Sequence, residues 1–354
     1  MKRIITTLIL LLAYIGFSQN PVPLVEEKIK IARKLAKKFQ KTNKIQGMAI
    51  SVSEHGNLIW SEGFGYANRK LKVKVKPNET LFRIASISKS ITAVTLAKLV
   101  DNHQIDLDKS IYEYLPNYPK KKYDFTVREL GGHLAGIRSY KGNEFVLNKK
   151  MTITQGLDLF KNDPLVFEPS SQYLYNSLGY VLLSNIMQKA SHKGFNNLVN
   201  ETVLKPLHML NTMPDASDSE IPNRTKFYKR ERVFSTPVSN EYKLAGGGFL
   251  STSEDITKFG HELISPKIIS EASLSEITTS QRLNSGRRTG YGIGFSVRKT
   301  KKGTPKFFHT GGGVGASSIL LIYPKEDLVI TVLTNLTGVS MHEFGNELEG
   351  IFID

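Results

Sequence analysis

Ala316-Ser-Ser-Ile-Leu-Leu-Ile-Tyr-Pro-Lys-Glu-Asp-Leu-Val-Ile-Thr-Val-Leu-Thr334 reads as two β-strands, Ala316 to Tyr323 and Leu328 to Thr334, joined by a Pro-Lys-Glu-Asp turn. A matching pair stands near the other end of the chain. Gly47-Met-Ala-Ile-Ser-Val-Ser-Glu54 and Leu58-Ile-Trp-Ser-Glu-Gly-Phe-Gly-Tyr66 are separated by His55-Gly56-Asn57 and predict an antiparallel hairpin. Between about residues 101 and 244 strand signals vanish. Helical patterns alternate there with Pro, Asn and Gly loops, as in Tyr180-Val-Leu-Leu-Ser-Asn-Ile-Met-Gln-Lys189. The simplest closure pairs the terminal strands into one antiparallel sheet flanked by helices. The expected organisation is an α/β (α+β) sheet domain from residues 20–100 and 245–354, with a mostly helical domain, 101–244, inserted into it.

Ser86-Ile-Ser-Lys-Ser-Ile-Thr-Ala-Val-Thr-Leu-Ala-Lys-Leu-Val100 reads as a helix that follows the first hairpin. A serine and a lysine three apart share one helix face, so Lys89 can sit beside the Ser86 hydroxyl. Ser86 then lies in the opening turn, where free N–H groups and the positive end of the helix dipole can hold a developing oxyanion. The same tetrad recurs as Ser296-Val-Arg-Lys299, but in a strand-like stretch, where residues three apart point to opposite faces.

A serine nucleophile needs a base and donors for the oxyanion. Tyr175-Asn176-Ser177, just before a helical segment, presents a phenol and a hydroxyl from a turn, and two neighbouring cations would favour phenolate. Tyr66-Ala67-Asn68 has the same shape but ends a strand upstream of Ser86. In His309-Thr310-Gly311-Gly312-Gly313 the glycines remove side chains so that a substrate backbone can approach a sheet edge, and His309 supplies a polar head. His133 reads as a packing or hydrogen-bonding residue. No His, Asp and Glu cluster has metal-ligand spacing, so neither metal nor other cofactor is expected.

With Leu81-Phe-Arg-Ile-Ala-Ser-Ile-Ser-Lys89, Leu130-Gly-Gly-His-Leu-Ala-Gly-Ile137, Tyr175-Asn-Ser177, Ala245-Gly-Gly-Gly-Phe-Leu-Ser-Thr252 and His309-Thr-Gly311 in this order, the chain resembles the serine penicillin-recognising family. That family holds class C beta-lactamases, D-Ala-D-Ala carboxypeptidases and related esterases. Ile137-Arg138-Ser139-Tyr140 and Asn162-Asp163-Pro164-Leu165 look most like the branch that includes the mitochondrial beta-lactamase-like protein. The resemblance implies a beta-lactamase/transpeptidase-like fold, with Ser86 as the acylated nucleophile, Lys89 as its activating neighbour and Tyr175 as a proton shuttle. It further implies an oxyanion hole from the N–H groups of Ser86 and Gly312, with Ser177 and His309 positioning the shuttle and the substrate's carboxylate or carbonyl. Two residues depart from the family pattern: Ser177 replaces the usual Asn, and His309 replaces a permanent cation with a titrating one. No glutamate stands where the resemblance would place a class A deacylating base, well downstream of the second motif; Glu168 lies upstream of it and reads as structural.

The function expected from this is an exported serine hydrolase acting on a small peptide or amide, D-amino-acid or peptidoglycan-related. An esterase or weak beta-lactamase shares the same site, and a slow-acylating penicillin-binding-like sensor or assembly protein is the reading from a different class.

Export is read from Met1-Lys-Arg3 and the apolar run Ile4 to Phe17, which ends in Ser18-Gln-Asn20: the three-part pattern of a signal peptide over residues 1–19. No Cys follows it to carry a lipid. Zero Cys also excludes disulfides, and a chain of this size buries enough apolar surface without them. The excess of 48 Lys and Arg over 32 Asp and Glu gives a formal charge of +16. For an exported protein that points to a solvated basic surface, or to contact with anionic envelope polymers, rather than to nucleic acid. Val25, Ile29, Ala32, Ala36 and Phe39 fall at helical spacing, so this lysine-rich segment is expected to pack one face on the core.

The signal pattern predicts a mature chain that begins at Asn20 or Pro21. Intact-mass measurement of the protein from expressing cells checks this; a chain starting at Met1 in the membrane fraction overturns it.

Overall fold

The computed structural model describes residues 22–217 and 219–353, so the expected signal segment 1–19 lies outside the described residues. The strands run in chain order as β1 (Gly47–Glu54), β2 (Asn57–Asn68), β3 (Val73–Lys74), β4 (Phe82–Arg83), β5 (Met213–Pro214), β6 (Tyr228–Arg230), β7 (Val233–Phe234), β8 (Phe249–Ser251), β9 (Ser296–Lys299), β10 (Pro305–Gly313), β11 (Ala316–Tyr323) and β12 (Leu328–Thr334). Seven of them form one antiparallel sheet in the order β3-β2-β1-β12-β11-β10-β9. The two hairpins join through β1 and β12, from Met48 opposite Thr334 to Glu54 opposite Leu328. The terminal strands thus close a mixed α/β fold, as expected.

β11 and β12 are buried at every position because both faces of the sheet are covered. Alternation separates the two cores. Ile319, Leu321, Ile330 and Val332 face the helices Val22–Thr42 and His342–Ile353, where Ala32 and Ala36 are fully buried and Phe39 stacks on Phe344 at 4.0 Å. Leu320, Ile322, Val329 and Leu333 join the larger core that contains the helix Ser88–Asp101. That helix is buried all round rather than on one stripe, the pattern of a central core helix. Its polar side chains are satisfied by neighbouring backbone: Thr92 Oγ1 donates to the Ala245 carbonyl at 2.8 Å, and Ser90 Oγ to that of Gly294 at 2.7 Å.

The stretch 101–244 is mainly short helices around the helix Leu178–Ser191, but it also holds three strands of two or three residues, β5 to β7. These were not expected from the sequence; segments so short carry no alternation to read. β8 pairs with β4 on one side and β5 on the other to form a small second sheet that delivers the chain to Ser86. Arg83 at the end of β4 donates through Nε to Asp215 at 2.6 Å and through a guanidinium nitrogen to the Val314 carbonyl at 2.7 Å. Asn240 Nδ2 meets the same Asp215 oxygen at 2.7 Å. Both charges are buried.

Removing Asp215 leaves a buried guanidinium without its counter-charge, so Asp215→Ala is expected to cost about 3–5 kcal/mol of stability. Urea unfolding measures this, and a shift below about 1 kcal/mol would mean that the pair does not hold the small sheet in place.

Candidate active site

Ser86 follows β4 in a tight turn, Ala85–Ile87, that runs directly into the helix Ser88–Asp101. Ala85 has φ +48°, a left-handed conformation that is strained for a residue with a β-carbon. The kink leaves Ser86 half-buried at the surface of a cleft. Ser88, two residues on, is fully buried and accepts the Phe249 N–H at 3.3 Å. Ser296 lies on the edge strand β9, opposite Phe308.

Lys89 is fully buried. Its Nζ lies 3.3 Å from Ser86 Oγ, 2.8 Å from Ser177 Oγ and 2.5 Å from the Gly246 carbonyl. Burial, with a smaller contribution from the positive charge of Lys243, pulls its pKa down from 10.5 to about 7. An amine in this state accepts a proton near neutral pH, and the Ser86 hydroxyl, 3.3 Å away at the cleft surface, can supply it.

Tyr175 and Ser177 arrive from the turn before the helix Leu178–Ser191. Asn176 shapes that turn: its Oδ1 accepts from the Gly179 N–H at 2.7 Å, and its Nδ2 donates to the Leu174 carbonyl at 3.0 Å. Ser177 is thereby brought to Lys89, and the Tyr175 hydroxyl to Ser86. The Lys89 Nζ stands 5.0 Å from the Tyr175 ring centroid. The outer part of Tyr175 meets solvent while its hydroxyl is enclosed. That enclosure pushes the phenol well above its ordinary range, against the opposing hydrogen bond with Ser86. The expected phenolate is therefore corrected to a neutral phenol. Lys89, itself near neutrality, is not the strong cation that expectation required.

His309 is corrected in the same way. It is buried, with Nε2 3.0 Å from the Tyr291 hydroxyl and Nδ1 2.6 Å from the Thr310 carbonyl. Since a carbonyl only accepts, Nδ1 carries the hydrogen and Nε2 accepts from Tyr291. Burial, then the charge of Lys89, pushes its pKa down to about 3, so it stays neutral at physiological pH. It is not a titrating cation. It braces an aromatic cluster, its ring 6.0 Å from that of Tyr175 and 5.9 Å from that of Tyr291. His133 packs into the same cluster, 4.6 Å from the Tyr175 ring.

Of the three glycines after Thr310, Gly311 and Gly312 differ. A β-carbon on Gly311 would stand 2.2 Å from Ser318 Oγ and 2.4 Å from the Ile84 carbonyl, so glycine here lets β10 press against the turn that carries Ser86. That close packing explains its identity without a substrate. At Gly312 a β-carbon would meet nothing within 4 Å, and the residue is exposed on the cleft. Only Gly312 matches the expected open approach.

The cleft is narrow, about 30 Å³, room for one or two water molecules. Ser86, Ser177 and Gly312 line it, with Tyr140, Asn240 and Lys243. Gly246, which supplies an acceptor to Lys89, and Lys243 have no role in the sequence reading; the run Gly246-Gly247-Gly248 was the available signal for the first. Among the described residues no cluster of His, Asp or Glu could hold a metal.

The beta-lactamase family profile matches residues 32–349. The human mitochondrial serine beta-lactamase-like protein LACTB is 31% identical over 84% of this chain and 74% of its own length. In three dimensions, the octameric penicillin-binding protein homologue from Pyrococcus abyssi superposes with a TM-score of 0.78 at 22% identity, over 92% of this chain and 77% of the other. A D-stereospecific amidohydrolase from a Streptomyces species gives 0.75 at 20%, over 93% and 98%.

The Lys89 environment sets a pH profile. Its neutral form is the proton acceptor, so the rate of serine acylation by a fluorophosphonate is expected to rise through about pH 7 and then level. His309 titrates far below that range and adds no break to it. Stopped-time labelling from pH 5 to 9 reads this; a rate that still climbs tenfold per unit above pH 8 would reject the lowered lysine pKa.

Proposed function

The chain belongs to the beta-lactamase family of serine hydrolases, and from that premise we propose that it is an exported hydrolase that forms an acyl-enzyme on Ser86 with a peptide or amide containing D-amino acids. One observation carries the reading: a buried lysine with a pKa near neutrality, 3.3 Å from a half-buried serine hydroxyl. In the first step the Ser86 proton moves to Lys89 as Oγ bonds to the substrate carbonyl carbon. The backbone N–H groups of Ser86 and Gly312 hold the oxyanion. Collapse breaks the bond to the leaving amine or alkoxide, which takes a proton from the Tyr175 hydroxyl while the proton on Lys89 refills Tyr175. Water then repeats the sequence on the ester, with Lys89 again the acceptor, and releases the acid.

Tyr175 works here as a neutral donor, which its raised pKa favours. Ser177, 2.8 Å from Lys89, fixes the amine. The D-amino-acid substrate class is supported by the fold shared with a D-stereospecific amidohydrolase, and export by the charge and hydropathy pattern of residues 1–19.

The test is mass spectrometry of the purified protein after incubation with a fluorophosphonate, a fluorescent penicillin and a panel of D-Ala peptides. An adduct on the peptide containing Ser86, lost in Ser86→Ala and kept in Ser296→Ala, is expected, together with turnover of the D-Ala peptides. Labelling that survives Ser86→Ala sinks the nucleophile, and a penicillin or peptide adduct that persists for hours favours a sensor over an enzyme.

A further inference from the structure

Lys243 takes no part in the acyl transfer described above, yet it is buried in the wall of the same cleft. It ends the turn Glu241–Lys243, just before the glycine run that supplies the Gly246 carbonyl to Lys89. Its Nζ donates to the Phe145 carbonyl at 2.7 Å and stands 5.0 Å, 5.6 Å and 5.9 Å from the ring centroids of Phe145, Tyr242 and Tyr140. An ammonium has three hydrogens to donate, and one carbonyl takes one of them. Among the described residues no carboxylate lies within ion-pair distance of it. Asp215 acts on it from further away and is engaged by Arg83 at 2.6 Å and Asn240 at 2.7 Å.

A buried cation without a counter-charge is unfavourable. Burial, then the charge of Arg83, pulls the Lys243 pKa down from 10.5 to about 8, against the opposing pull of Asp215. The other cations nearby are already held. Lys89 has three acceptors, and Arg83 has Asp215 and the Val314 carbonyl. His309 is neutral. Lys243 is thus the one charged side chain that lines the cleft among the described residues, and it faces the space shared by Ser86 and Gly312 with donors to spare.

We propose that Lys243 binds a carboxylate of the substrate beside the scissile carbonyl, so that this enzyme selects substrates with a free carboxylate next to the bond it breaks. This rests on the Ser86 acyl-enzyme and names the substrate class of that site. The cation comes from the turn before the glycine run, not from the histidine on β10.

A matched pair of substrates tests it: N-benzoylglycyl thioglycolate, whose leaving group carries a carboxylate, and the corresponding thioglycolamide. Lys243 also affects the Lys89 pKa, so the quantity to read is the ratio of kcat/KM for the two within each protein, in which that effect cancels. Lys243→Met is expected to lower the ratio roughly 10-fold to 100-fold, the size of a lost hydrogen bond to a charged group. Lys243→Arg should keep it. Fluorophosphonate labelling of Ser86 confirms that each variant is folded with a working nucleophile, and Lys243→Gln replaces the methionine variant if that one does not fold.

An unchanged ratio with labelling intact overturns the proposal. If the unsubstituted protein neither labels nor turns over, the Ser86 reading has failed instead. Calorimetry of N-benzoylglycine against its carboxamide then decides the Lys243 role by itself: a preference for the acid that Lys243→Met abolishes supports it, and no preference overturns it.

Discussion

A lysine amine held out of water at the centre of the molecule governs the arrangement around it. Lys89 is fully buried, and every acceptor it meets comes from a different part of the chain: Ser86 one helical turn back, Ser177 from the turn before a second helix, and Gly246 from the glycine run. Burial makes the charged form costly. The same contacts that satisfy the amine therefore bring the nucleophile and its neighbours together, while burial lowers the pKa to where the amine accepts a proton. Stability and chemistry are here two consequences of one placement.

The surrounding framework keeps that placement tight. Ala85 is held in a left-handed conformation, which costs on the order of 1–3 kcal/mol and persists only where packing over-determines it. The packing is the approach of β10, whose Gly311 leaves no room for a side chain between Ser318 and the Ile84 carbonyl. On the other flank the Arg83 and Asp215 pair links β4 to the Val314 carbonyl and to Asn240. The strained turn is clamped from both sides, by backbone contact and by a buried ion pair.

The electrostatics of the cleft are unbalanced toward positive charge. Lys89, Lys243 and Arg83 converge there against Asp215. Two of the cations respond to burial by giving up part of their charge near neutral pH, as a low-dielectric site requires, and the third is paired with a carboxylate at 2.6 Å. Tyr175 and His309 respond to the same enclosure by staying neutral.

The hairpins at both ends, the helix that begins at Ser88 and the partnership of Ser86 with Lys89 were legible in the chain, because each depends on neighbours a few residues apart: alternation in a strand, one face of a helix, a turn. The order of the motifs also carried the family and its sheet. Other properties are set by residues that share no local pattern with the group they affect. His309 is neutral because burial, then the charge of Lys89, disfavours its protonation, against the pull of the Thr310 carbonyl. Tyr175 keeps its proton because its hydroxyl is enclosed, and Gly311 is glycine because of a carbonyl 227 residues before it in the chain. Lys243 stands in the cleft only once the glycine run has folded against the helix Ser88–Asp101. The sequence by itself determined the candidates Ser86, Lys89 and Tyr175 and the local elements that carry them, but not Lys243. Their protonation states and the surfaces they face were decided by tertiary burial, since desolvation and long-range contact exist only when the chain is packed.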